Sequence, residues 1–441
     1  MRNNQIRPLL IAVLLMLGAM QSAAQSVLSL IEQDPNFTAG SYALYPDKDL
    51  PKQTAAPKGY KPFYISHYGR HGSRYLNDMK GYYQPYNTLL KADSLGKLNA
   101  VGKMALEEMR LNIADAEGRW GDLDDLGNEQ QRGIAHRMLQ NFPEVFQEGA
   151  FVDARSTIVT RCALSMGAYV LQLIKERPNL QVEMGNSYSD MWYMNHQNKA
   201  LRDSATNRHA QKALNAFIYK RWRNDGLDNL FFNDTVYVKQ HVDLQWTVYY
   251  LIKAALLQQN TQRRTEPNKL LPLFSDEVLY VYWQVENVWN YLHSGFCTLN
   301  GGMQPYTQLN LLRKIVNDAD SIIDGKRHGV SLRFGHETVV LPLVCLMGIN
   351  GYDYRTNNLE TLEAKGWWSG SVFPMASNIQ IVFYRKNAAD KDPLIKVLLN
   401  EKEATLPLPS DLAPYYRWSD FRDFYLRKVA EGESTLSTAK R

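Results

Sequence analysis

Ser66-His67-Tyr68-Gly69-Arg70-His71-Gly72-Ser73-Arg74 sets one imidazole, His71, between two guanidinium groups just past the end of a predicted strand. Residues 61–67 carry the β-formers Phe63, Tyr64 and Ile65, and Gly69 and Gly72 break the pattern immediately afterwards. In an open α/β sheet the crevice beyond the carboxyl ends of the strands is where ligands bind. Two permanently charged planar forks beside a ring nitrogen suit a phosphate. A surface turn that is merely basic is the plain alternative, and it yields only if other parts of the chain supply matching groups.

Working outward, two further strand ends do so. Residues 149–159 alternate as a second strand and run into Arg155-Ser156-Thr157-Ile158-Val159-Thr160-Arg161, ahead of a helix over 161–176 whose Leu164, Ala168, Leu171 and Ile174 predict its buried face. A third strand, Val330-Ser331-Leu332-Arg333-Phe334, delivers His336-Glu337 at the head of an apolar helix that lasts to Met347. Strands at 378–384 and 394–399 and a polar helical tail after Pro414 complete the chain. Helical spacing over 100–113 and 129–139 fills the interval between the first two strands. Residues 183–329 change character: strand signals are sparse and helices are predicted at 244–257, 275–291 and 306–323. The order predicts an α/β core with a mainly parallel sheet, built from 25–182 and 330–441, and a mostly helical cap domain inserted at 183–329. Residues 25–59 read as a polar leader on the surface.

At 441 residues the chain can bury a large core, and 45% hydrophobic with 22% charged residues is an ordinary globular composition. The N-terminus differs in kind. Arg2 and Arg7 flank an apolar run over 8–20 that is too short to span a bilayer, and Ser22-Ala23-Ala24 supplies small residues for cleavage after Ala24, so residues 1–24 read as a signal peptide. The mature chain is expected to be exported, periplasmic or secreted, without an integral membrane anchor. Losing Arg2 and Arg7 takes the formal charge from +5 to +3, and no interleaving of Lys/Arg with aromatics points to nucleic acid. Cys162, Cys297 and Cys345 cannot all pair and make no metal spacing, so they read as small buried side chains.

With these elements in place the chain resembles the histidine acid phosphatases, branch 2 of the histidine phosphatase superfamily, and within them is most similar to the multiple inositol polyphosphate phosphatases and histidine phytases. The Arg-His-Gly-X-Arg motif stands at Arg70 to Arg74, the Arg-Ser-Thr-X-X-X-Arg motif at Arg155 to Arg161, and the late His-plus-acid motif at His336-Glu337. Leu126-Gly127 with Gln130, Leu341-Pro342-Leu343, Ala376-Ser377-Asn378 and Val397-Leu398-Leu399-Asn400-Glu401-Lys402 are supporting matches. The resemblance implies a three-layer, phosphoglycerate-mutase-like core. In the inositol polyphosphate branch the late motif is usually His-Ala-Glu and elsewhere His-Asp; here the carboxylate sits at the Asp position on a side chain one methylene longer.

The resemblance and the residues together imply a metal-independent phosphomonoester hydrolase. Arg70, Arg74, Arg161 and His336 would bind and neutralise the phosphoryl group, with His67 a further candidate for the pocket wall. His71 would attack as a neutral imidazole, its other nitrogen fixed by a backbone carbonyl, to give a phosphohistidine. Glu337 would protonate the leaving oxygen, which predicts an acidic optimum. No cofactor is called for, and Val340 stands where a zinc-binding HExxH motif needs its second His. The expected substrate is an inositol polyphosphate such as phytate, with Arg202, Lys212, Lys220, Arg221, Arg223, Lys253, Arg263 and Arg264 as candidates for its remote phosphates. Other readings stay open: a broad acid phosphatase on sugar phosphates, a phosphotransferase of mutase type, and a phosphate-ligand binding protein that has lost turnover.

Overall fold

The computed structural model describes residues 26–48, 50–195, 198–224 and 226–439; the expected signal peptide, 1–24, lies outside them. Among the described residues there are ten strands: β1 (Lys61–Arg70), β2 (Phe151–Ser156), β3 (Gln181–Asn186), β4 (Phe296–Cys297), β5 (Gly329–Gly335), β6 (Arg355–Thr356), β7 (Asn378–Arg385), β8 (Leu394–Leu399), β9 (Lys402–Glu403) and β10 (Tyr416–Arg417). Eight form one sheet in the order β10-β8-β7-β1-β5-β2-β3, with β9 on β8; β4 and β6 pair apart. β1, β2, β3, β5 and β8 point one way, and only β7 and the two-residue β9 and β10 run against them.

The central strands are buried on both faces, so that even the polar residues Ser66, His67, Arg70, Ser331 and Arg333 are shut off from solvent. Ile65, Val152, Ala154, Val330, Leu332 and Phe334 pack under the helices Asp125–Asn141 and Thr160–Glu176. Tyr64, Tyr68, Ile381, Phe383, Ile395 and Val397 face the helices Leu309–Asp324, Glu337–Met347 and Trp418–Ala439 on the other side. Helix, sheet and helix make three layers.

From the end of β3 to the start of β5 the described residues are helical apart from β4. This region is not self-contained: a second apolar core joins the helices Leu244–Leu257 and Asp276–Ser294 to Lys80–Ser94 and Ala100–Ala116, which come from before residue 183. The expected boundary at 182/183 falls inside β3. No helix among the described residues is long and apolar enough to cross a membrane.

Two expectations need correction. Of the face predicted for the helix Thr160–Glu176, Ala168 is buried but Leu164, Leu171 and Ile174 stay exposed; Cys162, Met166, Tyr169, Val170 and Leu173 face the sheet instead. Both stripes have helical spacing, and the strand that feeds the helix fixes its rotation. The leader is not a surface wrap either. Val27 and Ile31 of the helix Val27–Gln33, with Ala39, Tyr42 and Tyr45, are all buried, so it carries part of the core.

Candidate active site

Strand register assembles the site. In the parallel pair β1–β5, Arg70 lies opposite Gly335, and in β2–β5, Ser156 lies opposite Phe334. The residues that leave these three strand ends, His71, His336 and Thr157, therefore emerge side by side at the carboxyl edge of the sheet. Two helices start there as well: His336 is the N-cap of Glu337–Met347, and Arg161 is the second residue of Thr160–Glu176. Their N-termini add partial positive charge to the same crevice.

The turn carrying His71 is strapped on every side. His71 N–H donates to the Gly335 carbonyl (3.0 Å), Ala376 N–H donates to the His71 carbonyl (3.0 Å), and Arg70 N–H donates to that of Ser377 (2.7 Å). From the helix Asp125–Asn141, Gln131 Nε2 donates to the Arg70 carbonyl (2.9 Å), while Gln130 Oε1 accepts from Ser73 N–H (2.9 Å). Gly72 and Gly127 meet backbone to backbone: a Cβ on Gly72 would lie 2.3 Å from the Gly127 carbonyl oxygen. Gly72→Ala is accordingly expected to cost about 3 kcal/mol, read from the midpoint of chemical denaturation, and to lower activity with it. A midpoint equal to the parent's would show that the two backbones can part freely.

Within this frame the cations point at one spot. Arg70 is fully buried and spends one terminal nitrogen on the carbonyls of Ser41 (2.6 Å) and Phe373 (2.8 Å). Its Nε and other terminal nitrogen, with Arg74 Nε and Arg161 Nε, are buried without a hydrogen-bond partner. Burial pulls the Arg70 guanidinium down to about 10, against the pull of Glu337, so it keeps its charge. Burial, helped by Arg74, lowers Arg161 as well.

His71 Nδ1 lies 2.9 Å from the Gly72 carbonyl, so that nitrogen carries the proton and Nε2 presents its lone pair to the crevice. Burial, with Arg70 and Arg74 adding to it against the nearby Glu337 carboxylate, holds His71 well below its ordinary range, as a neutral ring. His336 stands 5.8 Å away, ring centre to ring centre, with Nε2 3.1 Å from Thr157 Oγ1; burial lowers it to about 4. Glu337 Oε2 reaches over the nucleophile, 3.2 Å from Arg70 Nε and 3.6 Å from His71 Nε2. Burial opposes its ionisation, but the Arg70 guanidinium, with Arg74 adding to it, holds its carboxyl well below the usual range.

His71, His336 and Glu337 offer ligand atoms within 4.8 Å of one another. Three guanidinium groups surround them, and that charge repels a divalent cation while it attracts an anion. The array fits a phosphoryl group better than a metal.

His67 does not belong to this spot. Its parity along β1 is opposite to that of Arg70, so its ring turns to the far face of the sheet, 5.4 Å from both Tyr169 and Phe334, and burial holds it down at about 3. Arg155 also points away, pairing with Asp153 and Glu183.

A cavity of ≈ 730 Å³ opens above the crevice, with Arg74 and Glu337 in its floor. Of the eight candidate cations for remote phosphates, Arg202 and Lys253 line it. Lys220 and Arg221 pair with Glu360, Arg263 with Glu108 and Glu266, and Arg264 with Asp124. Arg223 donates to the carbonyls of Tyr219 and Trp222, and Lys212 is exposed. Tyr42 and the Ser41 carbonyl, both from the leader, were not foreseeable as parts of the site: a carbonyl has no side-chain signature.

Residues 69–400 match the sequence profile of the histidine phosphatase superfamily (branch 2). Among solved structures, the fold is shared with the Bifidobacterium longum multiple inositol polyphosphate phosphatase. Its complex with inositol hexasulfate superposes with a TM-score of 0.72 at 16% identity, over 87% of this chain and 96% of that one. Its complex with phosphate gives 0.70 at 16% identity, over 88% and 97%. The phytase from D. castellii gives 0.63 at 14% identity, over 94% and 90%.

Proposed function

The chain belongs to branch 2 of the histidine phosphatase superfamily, and from that premise we propose that it hydrolyses phosphomonoesters through a phosphohistidine on His71, with inositol polyphosphates as substrates. The observation that carries the reading is the set of buried guanidinium nitrogens without hydrogen-bond partners, from Arg70, Arg74 and Arg161, beside the unprotonated Nε2 of His71, with the Glu337 carboxylate lying among them. A phosphate ester resists nucleophiles because its oxygens are negative. Three fixed cations, two helix N-termini and His336 offset that charge without reorganising in the reaction.

The steps follow from the positions. An incoming phosphoryl group takes over the contacts that Glu337 holds with Arg70 and His71. Displaced toward the leaving oxygen and separated from Arg70, Glu337 regains a proton and donates it as the P–O bond breaks. His71 Nε2 forms the new P–N bond from the opposite side. Water then attacks phosphorus as the P–N bond breaks and its electron pair returns to His71 Nε2, Glu337 accepts the water's proton, and inorganic phosphate leaves.

The test is release of inorganic phosphate from inositol hexakisphosphate and from a hexose monophosphate at equal concentration. The proposal expects kcat/KM at least about tenfold higher for the first, because remote phosphates supply binding energy. A preference for the monophosphate favours the second reading, a broad acid phosphatase. The observation on that side is that Asp203 and Glu286 share the cavity wall with half-exposed Trp246 and Trp289.

A further inference from the structure

The helix Leu244–Leu257 presents Trp246, Tyr249 and Lys253, at spacings of three and four residues, to the cavity. Lys253 is the odd member. Among the described residues no carboxylate oxygen lies within ion-pairing distance of its ammonium, whereas Arg221, Arg263 and Arg264 from the same part of the chain are all paired. Its contacts are aromatic: Nζ lies 5.5 Å from the centre of the Tyr42 ring and 5.8 Å from that of Tyr249. Glu286, the wall carboxylate that faces this helix, instead accepts a hydrogen bond from the Tyr249 hydroxyl.

Tyr42 joins this cation to the reaction centre. The guanidinium carbon of Arg74, one of the groups around His71, lies 5.8 Å from the same Tyr42 ring, so one aromatic side chain supports a cation of the crevice and a cation of the cavity wall. Aromatic faces hold an ammonium in place and leave its charge free for a ligand, which a carboxylate partner would neutralise.

We propose that Lys253, cradled by Tyr42 and Tyr249, is a second anion subsite that receives a phosphate other than the one being cleaved. It thereby selects substrates carrying at least two phosphoryl groups. This rests on the phosphatase reading for its meaning, but the subsite itself is a statement about anion binding and is testable without turnover.

The experiment is calorimetric titration of the full chain and its Lys253→Met and Lys253→Arg variants with myo-inositol hexasulfate, which cannot turn over, and with inorganic phosphate. Losing one charge-assisted contact is expected to weaken hexasulfate binding by about 10- to 100-fold in Lys253→Met. Inorganic phosphate should stay within about twofold of the parent, and Lys253→Arg should recover most of the loss. Unchanged hexasulfate affinity in Lys253→Met, an equal loss for both ligands, or a parent that does not bind hexasulfate would each overturn the subsite. Hydrolysis of an aryl monophosphate by the same preparations reports separately on the phosphatase reading. A parent inert to every ester sinks that reading, while the titration still decides the subsite.

Discussion

Replacing His71 with alanine is expected to lower phosphate release by at least about 10⁴-fold on every ester, leaving substrate affinity within a few-fold of the parent. The size of the effect follows from how singular this nitrogen is. Nδ1 is committed to the Gly72 carbonyl, so Nε2 alone carries an in-plane lone pair into the ring of Arg70, Arg74 and Arg161. Burial keeps the ring neutral even in acid, so protonation does not remove the nucleophile where the proton donor works best. No neighbour can replace it. His336 Nε2 is engaged with Thr157, and the Cys162 thiol, 3.8 Å from His336, is pushed up to about 11 by burial and stays protonated. Rapid alkaline quench of the parent should trap a radiolabelled, acid-labile phosphoryl group that is missing from His71→Ala. Turnover above about 1% of the parent in that variant would mean that water attacks phosphorus directly.

What the chain discloses before folding is set by which interactions leave a mark on side-chain pattern. β8 falls where the spacing predicts it, and β1, β5 and β7 extend the predicted strands by a few residues, because their apolar runs are bounded by Gly, Asn or charge. The convergence of His71, Arg161 and His336 is likewise legible, since each follows a strand end and parallel strands in one sheet share a carboxyl edge. Four things are not. The rotation of the helix Thr160–Glu176 depends on which of two apolar stripes meets the sheet, and spacing alone does not distinguish Leu164 and Leu171 from Met166 and Tyr169. The placement of His67 is a matter of strand parity, which its closeness to Arg70 in sequence conceals. The leader reads as polar, yet its Val27, Ile31, Ala39, Tyr42 and Tyr45 are buried and its Ser41 carbonyl orients Arg70. Of the eight candidate cations in the helical region, sequence could not separate Lys253 from those that fold into ion pairs with distant carboxylates such as Glu108 and Glu360.

Glu337→Gln should slow esters with poor leaving groups by about 10²–10³-fold and aryl phosphates by less than about tenfold, because only an alkoxide needs a proton as it departs. The pH dependence has a definite sign. Arg70, more than any other group, holds the Glu337 carboxyl well below its usual range against the effect of burial, so a carboxylate lies where the phosphoryl group must go. Binding transfers Arg70 to the phosphate and removes the cause of that depression, so substrate binding takes up a proton. Uptake of a proton on the way to the transition state makes kcat/KM for an alkyl phosphate fall as pH rises from about 5 to about 8. Glu337→Gln removes both the competing charge and the donor, and its profile over that range should be nearly flat at a much lower level. The longer side chain matters here: one more methylene than Asp gives Glu337 the reach to rest on His71 at 3.6 Å when the site is empty. Glu337→Asp should therefore keep more activity on alkyl phosphates than Glu337→Gln. An equal loss on alkyl and aryl esters in Glu337→Gln, with the parent's pH profile retained, would assign the proton to another group and leave Glu337 as a carboxylate that merely fills the empty cage.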